Sequence, residues 1–354
     1  AVNRRCRLVF KDGWLVVETT VRRPHAAAGS IILAHLAQWA PVERSRMLQQ
    51  RSIAEWVERV REQFVRADLH YGHGTDNAED EAAWLVLQAA GLPLDGQSVD
   101  GGRLLSEAAG KRIEALARAR CETRKPLAYL TGSAFFAGLE FDVDEHVLVP
   151  RSPIAELICD RFQPWIDPER ARAVLDLCTG SGCIAVATAL HLGDVRVVAS
   201  DISAPALAVA ARNVRRHGVE DRVEMIRSDL FEALSGRRFD LIVANPPYVP
   251  TAGLADLPAE YRAEPGLGLA SGHDGLDAVL QILLDAPRHL GEDGVLICEV
   301  GESEQRLAGL LPGAPFLWLE FEHGGSGVFL LTAAQLEAVA PAVAAELEER
   351  KHVA

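Results

Sequence analysis

Hydrophobic positions along this chain follow two periods, and the change from one to the other divides it. From about residue 51 to 121 the period is helical. Ile53, Trp56, Val57, Val60 and Phe64 stand at i, i+3, i+4, i+7 and i+11, one face of a helix. A turn at Tyr71-Gly72-His73-Gly74-Thr75-Asp76-Asn77 follows. Asn77, with Asp80 and Glu81 in the next turn, predicts a helix start. That helix runs through Ala82 to Ala90 and stops at Gly91 and Pro93. A third is expected over about Leu104 to Arg120. Residues 47–125 thus read as a small helical domain, with His73 as a loop residue between two glycines.

The segment before it carries a weaker signal. Asp12 to Glu18 can form a short strand, and the rest is rich in Arg and Ala, without the apolar core of a secretory signal. The first methionine is Met47, so translation from Met47 is expected, with residues 1–46 as an upstream extension. A peptide spanning Pro41 to Arg51 in the natively expressed protein would refute this.

After Pro126 the texture becomes that of strands. Phe135 to Val143 and Val147 to Pro150 read as two strands of a hairpin linker over 126–150, and Arg151-Ser152-Pro153 opens a helix. Short β-branched runs then alternate with helical stretches. They lie at Val174 to Cys178, Val195 to Asp201, Val223 to Arg227, Phe239 to Asn245, Val295 to Val300, Phe316 to Phe321 and Gly327 to Leu331. The alternation predicts a mostly parallel sheet with helices on both faces. The last two runs are joined by only Glu322 to Ser326, which favours an antiparallel hairpin. The expected class is therefore α/β: a Rossmann-like seven-stranded sheet with a terminal antiparallel hairpin, over 151–336. This is the strand sequence of the class I methyltransferase variant. Residues 337–354 read as a charged helix with a solvated face.

Composition narrows the function classes. The chain has 354 residues, 49% of them hydrophobic, and no apolar run approaches the roughly 18 needed to span a bilayer. A soluble, cytoplasmic protein without a membrane partner is expected. The net charge of −14 argues against a nucleic-acid footprint and mildly favours a basic protein partner. The cysteines form no CxxC pair and have no His at metal spacing, so buried, reduced thiols and no zinc site are expected.

The chemistry sits at strand ends. The first strand of the sheet ends in Asp176-Leu177-Cys178-Thr179-Gly180-Ser181-Gly182, a Gly-rich turn into a helix. Such a turn lets the backbone approach a ligand and offers free N–H groups. It lacks the Lys of a phosphate loop, and Asp176 favours a cation such as the ammonium of an amino-acid moiety. Asp201 ends the second strand, where an acid grips a ribose diol. Asp229 and Leu230 end the third, suited to an adenine amino group and ring. Together these describe S-adenosylmethionine; a scaffold that binds no nucleotide is the plainer alternative.

The fourth strand ends in Asn245-Pro246-Pro247-Tyr248. Two prolines remove two backbone donors and force the chain out of the sheet. The Asn245 side-chain oxygen and the Pro246 carbonyl can accept both hydrogens of a planar NH2 group while Tyr248 stacks on it. The bland reading is a tight exit loop with an Asx-turn at Asn245. With a methyl donor alongside, the set suits methylation of an amide or exocyclic amine by positioning, without a strong general base.

From about Arg51 to Leu336 the chain resembles the protein-glutamine N5-methyltransferases of the HemK group. The resemblance implies a glutamine pocket of Asn245, Pro246, Pro247 and Tyr248. It puts Thr179, Gly180, Ser181, Gly182, Asp201 and Asp229 at cofactor positions. Leu230 stands where the release-factor-modifying branch has a bulkier aromatic. That branch also reads Pro-Arg-Pro-Asp/Glu-Thr-Glu where this chain reads Pro150-Arg151-Ser152-Pro153-Ile154-Ala155-Glu156. This stretch, Tyr71 to Asn77 and Leu254 to Arg262 are similar to the branch that acts on ribosomal protein uL3. The expected partner is therefore uL3. Glutamine methylation of release factors, DNA adenine methylation and a non-catalytic ribosome assembly role are the alternatives.

Overall fold

The structure, a computed structural model, describes residues 3–11, 14–22, 50–94 and 99–353. The chain divides into two compact units, Ala1–Thr131 and Gly132–Ala354.

The first unit opens with an antiparallel hairpin of β1 (Asn3–Lys11) and β2 (Trp14–Arg22). The strand expected at Asp12 to Glu18 lies partly outside the described residues and otherwise falls in β2. Helix α1 (Ile53–Arg66) buries the five residues of the predicted stripe. Its start is fixed by a capping box: Glu55 N donates to Ser52 Oγ at 3.3 Å and Ser52 N to Glu55 Oε2 at 2.8 Å. Asn77 caps α2 (Ala78–Ala89), its Oδ1 accepting from the N–H groups of Glu79 and Asp80. Helices α3 (Glu107–Thr123) and α4 (Leu127–Thr131) complete the unit.

The second unit starts with a smaller hairpin than expected. β3 (Ser133–Phe136) pairs with β4 (Leu139–Asp142), so both of its strands lie within 133–142. Val147 to Pro150 is not a strand. Val149 N donates to the Glu264 carboxylate at 3.0 Å instead of to a ladder partner. Helix α5 (Ile154–Cys159) then leads into the sheet.

The sheet has seven strands: β5 (Ala173–Leu177), β6 (Arg196–Asp201), β7 (Val223–Arg227), β8 (Phe239–Ala244), β9 (Leu290–Glu299), β10 (Leu317–Trp318) and β11 (Val328–Thr332). Their spatial order is β10-β11-β9-β8-β5-β6-β7. All neighbours from β9 to β7 are parallel, and β11 is antiparallel to both β9 and β10. The predicted terminal hairpin is present. The run from Phe316 shrinks to a two-residue edge strand, because only Leu317 and Trp318 hold register with β11. Very short edge strands are one way a sheet avoids edge pairing.

Strand side chains alternate between two cores. Val174, Val197, Leu241, Val243 and Ile297 pack with α6 (Cys183–Leu192) on one face. Leu175, Ile242, Leu296, Phe329 and Leu331 pack on the other with α9 (Asp277–Asp285) and the C-terminal α11 (Ala333–Val353). Helices α7 (Ala204–Arg216), α8 (Gly266–Leu269) and α10 (Glu304–Leu310) complete the unit. The solvated face expected for the tail is a correction. Leu336, Val339 and Val343 are buried and Leu347 packs beside them, an i, i+3, i+7, i+11 stripe laid on the core. The cysteines also depart from expectation: Cys183 and Cys298 are buried, but Cys159 is exposed at the end of α5.

Candidate active site

The chain leaves β5 to build β6 and β7 on one side, then returns to place β8 on the other. The order of strands therefore reverses between β5 and β8, and ligands in open α/β sheets bind at the carboxyl ends of such a switch point. Register brings the expected groups level. Leu177 pairs with Ser200 and with Ala244, and Ala244 with Cys298. The Gly-rich loop, Asp201, Asn245 and Glu299 thus leave the sheet at one height. A cavity of about 450 Å³ opens there, within the range of small-molecule sites. Its wall includes Thr179, Gly180, Ser181, Asp201, Asp229, Leu230, Asn245 and Pro247. Asp176, Gly182, Pro246 and Tyr248 stand outside that wall and support it.

Asp176 shows how. Its side chain is buried under the loop, with Oδ2 accepting from Thr179 Oγ1 at 2.5 Å and Ala185 N at 3.0 Å. Its Oδ1 is buried and has no hydrogen-bond partner among the described residues. Burial pushes this carboxyl up to about 7. The loop itself carries left-handed backbone at Cys178, Gly180 and Gly182, with φ of 62°, 55° and 78°. At Gly182 a Cβ would stand 3.0 Å from that of Ala210, so glycine lets the loop press on α7. Asp201 ties loop to helix: Oδ2 accepts from Gly180 N at 2.9 Å and Oδ1 from Ser203 N at 2.8 Å.

The raised Asp176 carboxyl predicts a pH dependence. The folded chain keeps a proton that the unfolded chain releases above the ordinary value of 3.8. Stability contributed by this group therefore falls as pH rises from about 4 to about 7 and is level beyond. Asp176→Asn removes the dependence while its amide oxygen keeps both accepted bonds. The variant gains on wild type across that window, by up to about 4 kcal/mol at pH 8. Denaturant unfolding at pH 5 and pH 8 checks this; a stability difference that does not grow with pH rejects it.

Two groups on the wall are uncommitted. Neither the Asn245 amide nor the Asp229 carboxylate has a side-chain hydrogen bond among the described residues. Around Asn245, by contrast, everything is braced. The Tyr248 hydroxyl donates to Glu299 Oε1 at 3.2 Å, and Ser152 Oγ donates to Glu299 Oε2 at 2.5 Å. Ser303 Oγ donates to the Tyr248 carbonyl at 2.9 Å. Burial raises the Glu299 carboxyl, and burial with the Glu299 charge raises the Tyr248 phenol far above its ordinary value. The phenol keeps its proton and cannot serve as a base.

Glu299, Ser152 and Glu264 carried no sequence signal as site residues. A lone Glu ending a strand and a Ser before Pro are unremarkable until the fold stacks them. Arg151 forks onto Glu264 at 2.6 and 2.7 Å and lies over the Tyr261 ring at 5.3 Å. This joins the 149–152 segment to the 261–265 segment at the cavity.

Close approach at Gly275 gives a second prediction. Its φ is 85°, and a Cβ would stand 2.2 Å from the Tyr248 carbonyl oxygen. Gly275→Ala displaces Tyr248 and destabilises the fold by about 1–3 kcal/mol. Thermal unfolding and turnover should both fall; an unchanged midpoint with full turnover rejects it.

The family model described as Methyltransferase small domain matches residues 156–256, and PrmC N-terminal domain matches residues 67–132. The ribosomal protein uL3 glutamine methyltransferase of Xanthomonas campestris pv. campestris is 52% identical over 77% of this chain and 88% of its own. That of Francisella tularensis subsp. tularensis is 46% identical over 80% of this chain and 91% of its own. A solved Pyrococcus furiosus methyltransferase is 19% identical over 55% of this chain and 89% of its own, at a TM-score of 0.41, too distant to add to the fold. With about half of the aligned residues identical over most of this chain and most of each relative, the chain belongs to the family of ribosomal protein uL3 glutamine methyltransferases.

Proposed function

We propose that this protein methylates N5 of a glutamine side chain of ribosomal protein uL3, with S-adenosylmethionine as donor. The observation that carries the reading is the uncommitted Asn245 amide on the wall of a switch-point cavity, on a segment that its neighbours brace. The cavity residues fit such a donor. The loop at Thr179 to Gly182 brings backbone close, Asp201 is half-buried at the ribose position, and Asp229 is free to accept from an adenine amino group. Asp176 acts from beneath, a partly satisfied carboxyl below the loop.

When bound, the donor supplies an electrophilic methyl group on a sulfonium. The chain's own residues prepare the acceptor. An amide nitrogen attacks poorly because its lone pair is shared with the carbonyl. Asn245 Oδ1 and the Pro246 carbonyl accept the two amide hydrogens, fix the NH2 group and draw electron density onto nitrogen. Held this way, the nitrogen would be presented to that methyl, and the amide proton it sheds on transfer would pass to water. Tyr248 flanks the pocket with its phenol tethered to Glu299.

On this reading the enzyme works in the cytoplasm, where uL3 is made. No helix among the described residues is long and apolar enough to cross a membrane. Incubation with methyl-labelled S-adenosylmethionine and, separately, purified uL3, release factors and DNA tests the assignment. Label on a uL3 glutamine is expected. Label on release factors or DNA, with none on uL3, overturns the target; no label on any of them favours a binding role.

A further inference from the structure

The stripe of α11 that covers the core does not end in an apolar residue. Leu336, Val339, Val343 and Leu347 continue at the same spacing to Arg350, which keeps the guanidinium on the inward face, 18% exposed. It meets Asp274, in the segment between β8 and α9, and Asp277 at the start of α9. Nη2 and Nη1 donate to the two oxygens of Asp274 at 2.7 and 3.0 Å, and Nη1 also to Asp277 Oδ1 at 3.0 Å. Nε donates to Glu346 Oε1 at 2.9 Å on its own helix.

The 271–277 loop is part of the site's frame. Ser271, Asp277 and Ala278 line the cavity. Ser271 N donates to the Val249 carbonyl at 3.0 Å, and Thr251 N to the Gly272 carbonyl at 2.9 Å. Gly275 lies against the Tyr248 carbonyl. The loop is tightly turned as well: a Cβ at Gly272 would stand 1.9 Å from Asp277 Oδ2. One cation therefore ties the middle of this loop, at Asp274, to its C-terminal end, at Asp277, beside the Gly275 that supports Tyr248.

We propose that Arg350 is a positioning residue for the active site, fixing the 271–277 loop and through it Tyr248 and the cavity wall. The inference rests on the proposed function only in taking this cavity as the donor site. Arginine suits the task because its planar fork serves several oxygens at fixed angles, whereas lysine offers a point charge.

The test uses the full chain and two readouts. In Arg350→Ala, backbone amides of Val249, Thr251 and residues 271–278 of the unliganded protein exchange hydrogen about tenfold faster, while the helices of the first unit are unchanged. Calorimetry finds S-adenosylhomocysteine bound about tenfold more weakly. Arg350→Lys falls between wild type and the alanine variant in both. Glu346→Ala, which removes only the contact within the helix, matches wild type. Equal loop exchange and equal affinity in Arg350→Ala overturn the proposal, as does a uniform rise in exchange across residues 132–354. If Arg350→Ala shows the faster loop exchange yet wild type binds no S-adenosylhomocysteine, the proposed function fails and the positioning role stands.

Discussion

Asn245→Ala transfers methyl groups about 10²–10³-fold more slowly than wild type, the loss expected when one preorganised hydrogen-bonding group is removed from a reacting centre. Binding of S-adenosylhomocysteine stays within a few-fold. The separation follows from the wall's division of labour. The Gly-rich loop, Asp201 and Asp229 end neighbouring strands, whereas Asn245 brings an uncommitted side-chain amide to the switch point. Truncation leaves the surrounding brace intact, because Tyr248 is held by Glu299, Ser303 and Gly275 and not by Asn245. Asn245→Asp is also slow, since it exchanges a neutral amide for a carboxylate. Single-turnover transfer with labelled donor, alongside calorimetry, measures both parts. Near-wild-type turnover by either variant would refute the role of Asn245.

The largest stability effect is expected in the first unit. Arg120 and Glu81 are 0% and 2% exposed and meet through Nε and Oε1 at 2.7 Å. Arg120 Nη2 also donates to the His70 carbonyl at 3.0 Å, and Thr75 Oγ1 to Glu81 Oε2 at 3.2 Å. The pair thereby stitches α3 to the start of α2 and the turn before it. Glu81→Ala takes the Glu81 carboxylate away from a buried guanidinium and destabilises the fold by about 3–5 kcal/mol. Replacing both partners by leucine recovers most of the loss, because desolvating two charges offsets much of what their attraction supplies. Denaturant unfolding of the two variants decides it: a loss in Glu81→Ala below about 1 kcal/mol, or a double variant no better than the single, contradicts the account.

Both predictions show where sequence reading works and where it stops. Glu81 reads as an acid of a first helical turn, a place where charge is ordinarily solvated. Only its packing against Arg120, 39 positions along the chain, makes it a buried anchor. The tail after Thr332 likewise reads as charged, because its apolar residues are diluted by Glu and Ala. The four that matter share a face only once the helix is laid on the sheet. Val147 to Pro150 has strand composition but gives its amide to Glu264, a partner 115 positions away from Val149.

The sequence by itself determined the α/β class and the strand order in the chain with its closing hairpin, and it marked Asn245-Pro246-Pro247-Tyr248, Thr179 to Gly182, Asp201 and Asp229 as candidate site residues at strand ends. These signals are local: hydrophobic period, glycine and proline geometry, and residue type at a strand's end are all set within a few positions. Tertiary structure alone decided which of those residues line the cavity and which support it. It moved Asp176 beneath the loop, tethered Tyr248 to Glu299 and brought Ser152, Glu264 and Arg350 to the frame. The physical reason is that buried hydrogen bonds and close packing join groups by distance in space, and register across a sheet converts strand ends far apart in the chain into one wall.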